Sequence, residues 1–323
     1  MNAAVLHTLG QPPRCEPFPD PTPGEGEVLI EVRAASLKPI DKQMASGAHY
    51  ASHRTLPAIC GNDGVGVLPD GTRVFFALSR PPYGAMAERT VVPRARCLPL
   101  PAGIDDHTAA AVMNPGLSAW GALTWRAQLA AGESVLILGA TGVTGKLAIQ
   151  AAKLLGARRV VAAGRNPEIL ASLGDLGADA TISLDQPRQN LTEAFVREAD
   201  GAGYDVVLDY VWGPPTEALL DSVTSKDMRP AAVRTRLVQV GESASPGITL
   251  PAAALRSSRL EILGAGTGSA PTSMEVWLEA IQQLLERVAN GQLRIETERV
   301  ALADIQHAWS RNQKGRRLVV TPS

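Results

Sequence analysis

The segment Gly139-Ala140-Thr141-Gly142-Val143-Thr144-Gly145 contains three glycines at intervals of three residues and directly follows the apolar run Ser134–Leu138. A pattern of helical spacing continues from it to about Leu155 and is closed by Gly156. A glycine-rich turn between a strand and a helix lets backbone N–H groups and the helix N-terminus meet a pyrophosphate. All seven residues are therefore predicted to bind a dinucleotide, and the alternative is an accidental loop.

Around this segment, short β-branched runs alternate with helical stretches, which is typical of βαβ units and a parallel sheet. Asn166-Pro167 predicts one helix start, with Asn as the N-cap and Pro at the first helical position. Six runs are predicted as strands, at residues 134–138, 159–163, 180–182, 205–209, 236–240 and 260–263. This pattern predicts an α/β fold with a doubly wound parallel sheet of the Rossmann type.

The end of the second predicted strand indicates which dinucleotide binds. It reads Gly164-Arg165-Asn166, and no carboxylate follows before Glu168. In NAD-preferring domains an acidic residue here accepts hydrogen bonds from the ribose 2′-OH, whereas an arginine neutralises a 2′-phosphate. The sequence therefore predicts NADPH as the cofactor, held at Gly164, Arg165 and Asn166. A solvated loop charge is the alternative for Arg165.

The amino-acid composition indicates which partners the protein can bind and in which compartment it is expected. The 323 residues carry 31 Lys and Arg against 32 Asp and Glu, so no electrostatic footprint for nucleic acid or anionic lipid is present. Cys15, Cys60 and Cys97 lie far apart without a C-x-x-C pair, which fits a reducing compartment. No basic leader and no apolar stretch of about 18 residues is apparent. We expect a cytoplasmic protein that binds neither nucleic acid nor membrane.

The regions before and after the predicted parallel sheet do not show alternating strands and helices. The first 117 residues are rich in Pro and Gly and contain short β-type runs at 28–32, 73–76 and 89–92, which predict a mostly antiparallel β domain. From about residue 268 the sequence holds one amphipathic helix, predicted over 274–290, and ends in the apolar run 317–320. We therefore expect two domains and a C-terminal segment.

Four further segments carry a family pattern: Lys38-Pro39-Ile40-Asp41, Gly61-Asn62-Asp63-Gly64-Val65-Gly66-Val67, Tyr83-Gly84-Ala85-Met86-Ala87-Glu88 and Asn114-Pro115-Gly116-Leu117-Ser118-Ala119-Trp120. With the late dinucleotide turn, they resemble the medium-chain dehydrogenase/reductase superfamily, closest to its zinc-free quinone oxidoreductase branch. The resemblance implies a GroES-like β-rich substrate domain at 1–117, a Rossmann NADPH-binding domain at 118–267, and a segment at 268–323 that completes the substrate domain. It also implies a homodimer formed through residues 260–263.

The resemblance also implies where the nicotinamide would lie. Ser118 is expected near the nicotinamide amide, and the small residues of Val240-Gly241 and Gly264-Ala265-Gly266 are expected to face the nicotinamide ribose and ring. Each of these glycine segments could equally be an ordinary tight turn.

Zinc-dependent members of the superfamily bind their catalytic metal at positions that match Lys38, Asn62 and Asn114. An ammonium and two amides cannot form the usual three-ligand zinc site, so we expect no metal. Without a Lewis acid, hydride transfer to an acceptor with a strong electron sink is favoured, such as a quinone or an α,β-unsaturated carbonyl. The alternative is a non-catalytic NADPH-binding redox sensor or structural protein of the same fold.

Lys38 itself allows two hypotheses. Asp63 is expected to lie within its reach, and the ammonium could polarise a carbonyl oxygen and supply a proton. The other hypothesis is a Lys38–Asp63 ion pair that only stabilises the β domain. Tyr50 or solvent would then supply the proton, and Asn114 completes the candidate catalytic set.

Overall fold

The computed structural model describes residues 1–49, 52–224, 233–271, 273–311 and 315–322, apart from the side chains of Thr267 and Met274. The chain forms two compact units, one of Met1–Met113 with Leu285–Ser323 and the other of Asn114–Leu284. The predicted boundaries followed residues 117 and 267, whereas both observed changes of unit fall inside helices. The second change lies in α8, which contains neither Pro nor Gly, whereas the first lies just before Pro115-Gly116 of α2.

The described residues form sixteen strands and nine helices. The strands are β1 Asn2–Leu6, β2 Arg14–Pro17, β3 Glu27–Ser36, β4 Ala58–Ile59, β5 Asp63–Val67, β6 Arg73–Ala77, β7 Arg89–Pro93, β8 Cys97–Pro99, β9 Ser134–Leu138, β10 Arg159–Gly164, β11 Ala180–Ser183, β12 Val206–Asp209, β13 Arg234–Gln239, β14 Arg259–Gly264, β15 Thr297–Ala301 and β16 Arg317–Thr321. The helices are α1 Pro39–Ser46, α2 Asp106–Gly121, α3 Val143–Leu154, α4 Pro167–Ser172, α5 Arg188–Glu198, α6 Pro214–Val223, α7 Ala252–Arg256, α8 Met274–Ala289 and α9 Ile305–Ser310. None of these helices has the length and apolar character needed to cross a bilayer.

The unit of residues 114–284 is built on a six-stranded parallel sheet in the order β11-β10-β9-β12-β13-β14. Residues 135–138 of the central strand β9 are completely buried, as expected for a parallel strand covered on both faces. Asn166 Oδ1 accepts a hydrogen bond from the Ile169 N–H at 3.0 Å and caps α4 as predicted. The predicted Rossmann sheet is confirmed.

The other unit is rich in antiparallel pairs. Its larger sheet follows the order β15-β16-β3-β5-β6-β8, with β7 also paired to β3, and its smaller sheet is β2-β1-β4. Among the described pairs of this unit only β15–β16 is parallel. Val319 of β16 pairs with Ser36 of β3, so the C-terminal strand completes the N-terminal sheet. The predicted GroES-like, mostly antiparallel β domain is confirmed.

Gly145 packs α3 directly against the glycine-rich turn. A Cβ at this position would lie 2.4 Å from the Gly139 carbonyl oxygen and 2.5 Å from Ala140 Cα, and both of these atoms belong to the backbone. Neither neighbour can rotate away as a side chain could. The helix can therefore approach the turn this closely only with glycine at 145.

Gly145→Ala should lower the free energy of unfolding by about 1–3 kcal/mol, because the added methyl forces α3 away from the turn. Gly174→Ala is the matched control, since a Cβ at Gly174 would meet no heavy atom within 4 Å. Urea denaturation followed by circular dichroism measures both. Equal effects of the two substitutions would contradict the packing argument.

Candidate active site

The glycine-rich turn is tied to the second strand of the parallel sheet. The N–H groups of Gly139 and Ala140 both donate to the Ala163 carbonyl of β10 at 2.9 Å. Gly139 has φ +89°, a left-handed conformation that favours glycine. The N-cap residue of α3 is Gly142, which has no side chain to cap the helix, so the first N–H groups can bind an anion. This arrangement fits a pyrophosphate.

The end of β10 packs against the same turn. A Cβ at Gly164 would lie 2.4 Å from Thr141 Cγ2, so only glycine permits this contact. Arg165 follows directly and is exposed, in the position that the sequence predicted for a 2′-phosphate contact. The side chain of Asn166 is engaged in capping α4.

A second feature of this unit is a pocket of about 260 Å³. It brings together five residues that the sequence singled out, although they come from three separate segments: Asn114, Ser118, Val240, Ala265 and Gly266. A Cβ at Gly266 would meet no heavy atom within 4 Å, so the space in front of it is open. The backbone at Gly266 is therefore accessible from the pocket.

Two other predicted residues lie beside this pocket. A Cβ at Gly241 would be 2.8 Å from the Tyr210 carbonyl oxygen, which makes this a tight backbone approach. The Gly264 carbonyl accepts a hydrogen bond from Arg126 Nε at 2.7 Å. A Cβ added at Gly264 would meet no heavy atom within 4 Å. Gly241 therefore serves chain packing, whereas Gly264 leaves free space.

An aromatic pair in the pocket was not predicted. Trp125 and Trp277 line it, with ring centroids 5.1 Å apart in an edge-to-face arrangement. Trp125 belongs to a π-helical turn, Ala122–Arg126, that follows α2; such turns are frequent at functional sites. Trp277 comes from α8, far along the chain, so no spacing in the sequence connects the two rings.

In the other unit, Lys38 is the centre of a buried charged cluster. Its side chain is 0% exposed, and its Nζ lies 2.9 Å from Asp63 Oδ1, which confirms the predicted contact. The same ammonium lies 3.3 Å from Asp41 Oδ2 and donates to the Ser36 carbonyl at 3.2 Å. The ammonium is thus surrounded by oxygen atoms, two of them from carboxylates.

Arg317 is the fourth charged member of this cluster. Burial lowers the pKa of its guanidinium to about 10, against the opposing effect of Asp41 and Asp63. Burial also disfavours the charge of Lys38, but the two carboxylates outweigh it and raise the pKa of that ammonium above its usual value. The cluster therefore combines two cations with two carboxylates. Neither Asp41, which lies three residues after Lys38, nor Arg317 was predicted as part of this site.

Asp41 connects the buried cluster to a pocket of about 540 Å³ within the same unit. Its Oδ1 accepts a hydrogen bond from the Asn62 N–H at 3.2 Å, and both residues line the pocket with His53. Burial lowers the pKa of the His53 imidazole, although Asp41 opposes this, so the ring is neutral near pH 7. Tyr50, the predicted proton donor, lies outside the described residues.

The three zinc-ligand positions hold groups that do not fit a zinc ion. Lys38 presents an ammonium without a lone pair, and its N–H groups contact carboxylates that would otherwise balance a metal. Asn62 and Asn114 offer neutral amides in place of the thiolate, imidazole or carboxylate ligands that zinc prefers.

Comparison with known proteins identifies the family to which the two units belong. The family profile described as an alcohol dehydrogenase GroES-like domain matches residues 24–102, and the zinc-binding dehydrogenase profile matches residues 143–286. A quinone oxidoreductase of Pseudomonas aeruginosa is 31% identical over 299 residues, which cover 88% of this chain and 87% of that protein. A probable NADPH-dependent quinone reductase of Emericella nidulans, tdiC, is 27% identical over 364 aligned positions that cover both proteins fully.

Among solved structures, the quinone oxidoreductase of Thermus thermophilus, also determined with NADPH, matches with a TM-score of 0.76 and 30% identity. The match covers 99% of this chain and 100% of that one. The GroES-like and Rossmann units together define a dinucleotide-dependent oxidoreductase of two domains. The chain belongs to the medium-chain dehydrogenase/reductase superfamily and is quinone oxidoreductase-like, as the resemblance implied.

Lys38→Met should lower the free energy of unfolding by about 3–5 kcal/mol, because Asp41 and Asp63 would stay buried without their shared cation. Adding Asp63→Asn should restore part of the loss. Lys42→Met is the control, since Lys42 lies on the same helix, is half-buried and makes no ion pair with the described residues. Urea denaturation at pH 7 measures all three variants. Unchanged stability with a kcat lowered tenfold or more would instead assign Lys38 a direct catalytic role.

Proposed function

We propose that this protein transfers hydride from NADPH to a quinone or an α,β-unsaturated carbonyl without a metal ion. The observation that carries the proposal is the combination of an intact dinucleotide turn with Lys38, Asn62 and Asn114 at the zinc-ligand positions. Such a site has no Lewis acid, so it favours an acceptor that already carries an electron sink. The names of the Pseudomonas and Emericella relatives support this class of acceptor.

The residues of the Rossmann unit would hold the cofactor. The turn at 139–145 and the start of α3 fit the pyrophosphate, and Arg165 fits the 2′-phosphate. Ser118 and Asn114 offer polar groups in the pocket, where Val240 and Gly266 leave room for a ring. NADPH, when bound, supplies the hydride.

In this proposal, the charged cluster of the GroES-like unit sets the electrostatic environment of the acceptor. Because the Lys38 ammonium is completely buried and already contacts both carboxylates, we assign Lys38 as a positioning residue that acts through Asp41 and Asp63. An acceptor gains negative charge when it receives hydride, and an unpaired carboxylate beside it would oppose the reaction. Lys38 and Arg317 compensate both carboxylates. Tyr50 remains the predicted proton donor, with solvent as the alternative.

The proposed homodimer would use the edge of the parallel sheet. Strand β14 is the last strand in the sheet order of the described residues, and it contains the predicted residues 260–263. Its outer backbone groups can therefore pair with another chain, since an edge strand is a template for pairing. A second copy of β14 would satisfy them.

Arg165→Ala tests the cofactor assignment. If the guanidinium binds the 2′-phosphate, wild-type protein should bind NADPH better than NADH by roughly 1.5–3 kcal/mol, about ten- to a hundredfold. The variant should lose most of this ratio and keep its NADH affinity, as measured by fluorescence titration. An equal loss of affinity for both cofactors would show that Arg165 is structural.

Steady-state assays of NADPH oxidation with a panel of quinones and enones test the reaction. We expect turnover with at least one member, no loss of activity in EDTA, and far less than one zinc ion per chain by elemental analysis. Stoichiometric zinc would contradict the metal-free proposal. Tight NADPH binding without turnover of any acceptor would favour the non-catalytic alternative.

A further inference from the structure

The 540 Å³ pocket of the GroES-like unit contains more positive than negative side chains. Arg54, Arg80 and Arg96 line it, together with the two carboxylates Glu27 and Asp41. Its histidine, His53, is neutral near pH 7 because burial lowers its pKa. The character of the pocket therefore depends on which arginines are already paired.

Both carboxylates have partners. Glu27 Oε2 lies 3.1 Å from Arg80 Nη1 and also accepts the Gly24 N–H at 2.8 Å. Asp41 is engaged by Lys38 and by the Asn62 N–H. These contacts neutralise Glu27, Arg80 and Asp41 within the pocket.

Arg54 and Arg96 remain without a compensating charge. Both are exposed, and neither forms an ion pair with the residues that the structure describes. The Arg96 guanidinium donates a long hydrogen bond of 3.4 Å from Nη1 to the Leu78 carbonyl. The pocket therefore has two guanidinium groups whose remaining donors can bind an anion.

Leu78 gives the same pocket an apolar surface. Its side chain is 49% exposed although it is large and hydrophobic, and Met44 and Pro81 line the pocket with it. Its φ of +59° is left-handed, a conformation that is uncommon for a residue other than glycine. The Leu78 N–H donates to the Asn62 carbonyl at 2.8 Å, which holds this strained backbone beside a predicted site residue.

From this juxtaposition we infer that the acceptor is amphipathic: a quinone or enone whose carboxylate or phosphate group binds Arg54 and Arg96 while its apolar part packs against Leu78. The inference rests on the proposed function, because Asp41 and Asn62 of the same pocket belong to the candidate active site. Two charge-assisted contacts should favour an anionic acceptor over its neutral analogue by about tenfold or more.

The test compares an acid with its methyl ester, which differ in one charge. Isothermal titration measures the Kd of 4-oxopent-2-enoate and of methyl 4-oxopent-2-enoate with protein saturated with NADP⁺, so that no turnover is required. Wild-type protein should bind the acid about tenfold or more tightly than the ester. In the R54Q/R96Q double variant the two Kd values should become about equal. A second arm measures the Kd of an enone that carries a phosphate monoester and the Kd of its parent alcohol. The pair with the larger ratio of neutral to anionic Kd shows whether the site prefers a carboxylate or a phosphate.

Arg94→Gln is the matched control. Arg94 lies on the same 3-10 turn as Arg96 but outside the pocket lining, and its nearest carboxylate is Asp70 at 3.9 Å. The control variant should retain the preference for the acid, and equal loss in both variants would indicate only a general effect of net charge. Equal binding of acid and ester by the wild type would overturn the inference, as would a matching rise in the Kd of NADPH in R54Q/R96Q.

Turnover separates this inference from the proposed function. Reduction of the ester without any preference for the acid would overturn the inference and leave the reaction standing. Preferential binding of the acid without NADPH oxidation by any acceptor would support the anion site and contradict the reaction.

Discussion

The buried charge of Lys38 is the constraint on which the GroES-like unit depends. Removing an ammonium from water costs several kcal/mol, and only close, well-oriented acceptors offset this penalty. Those acceptors come from three places: the end of β3, helix α1 and the start of β5. Arg317 joins from β16 and donates to the Leu37 carbonyl at 3.1 Å. The acceptors of Lys38 thus bring three elements of secondary structure together, and Arg317 adds a fourth to the same cluster.

The same cluster connects stability with chemistry. Zinc-dependent relatives hold a divalent cation at positions that match Lys38, Asn62 and Asn114, whereas this chain places a covalently attached single charge at the first of them. A lysine cannot be removed by a chelator, but it also cannot open a coordination site to a substrate oxygen. In the proposed function its effect passes through the residues that it holds, of which Asp41 lines the pocket and accepts the Asn62 N–H.

Local patterns predicted most of the fold, because strands, turns and caps are specified by neighbouring residues. The dinucleotide turn, the six parallel strands and the Asn166 cap all lie within short windows of sequence. The missed features depend on contacts over long distances in the chain. Nothing near Arg317 indicates that it meets residues 37–63, and nothing near Trp125 indicates Trp277. The change of unit within α8 carries no sequence signal because the helix continues across it.

The pairing of β16 with β3 also affects the order in which the molecule can form during synthesis. Residues 114–284 form one continuous unit, which can fold as soon as it leaves the ribosome. The GroES-like unit cannot be completed until Arg317 has been synthesised, about 200 residues after Met113. At 5–20 residues per second this takes roughly 10–40 s. During that interval the open edge of β3 and the incomplete cluster around Lys38 are exposed to other chains. Residues 1–113 therefore stay incomplete for longer than residues 114–284, and a chaperone that covers β3 would act in this interval.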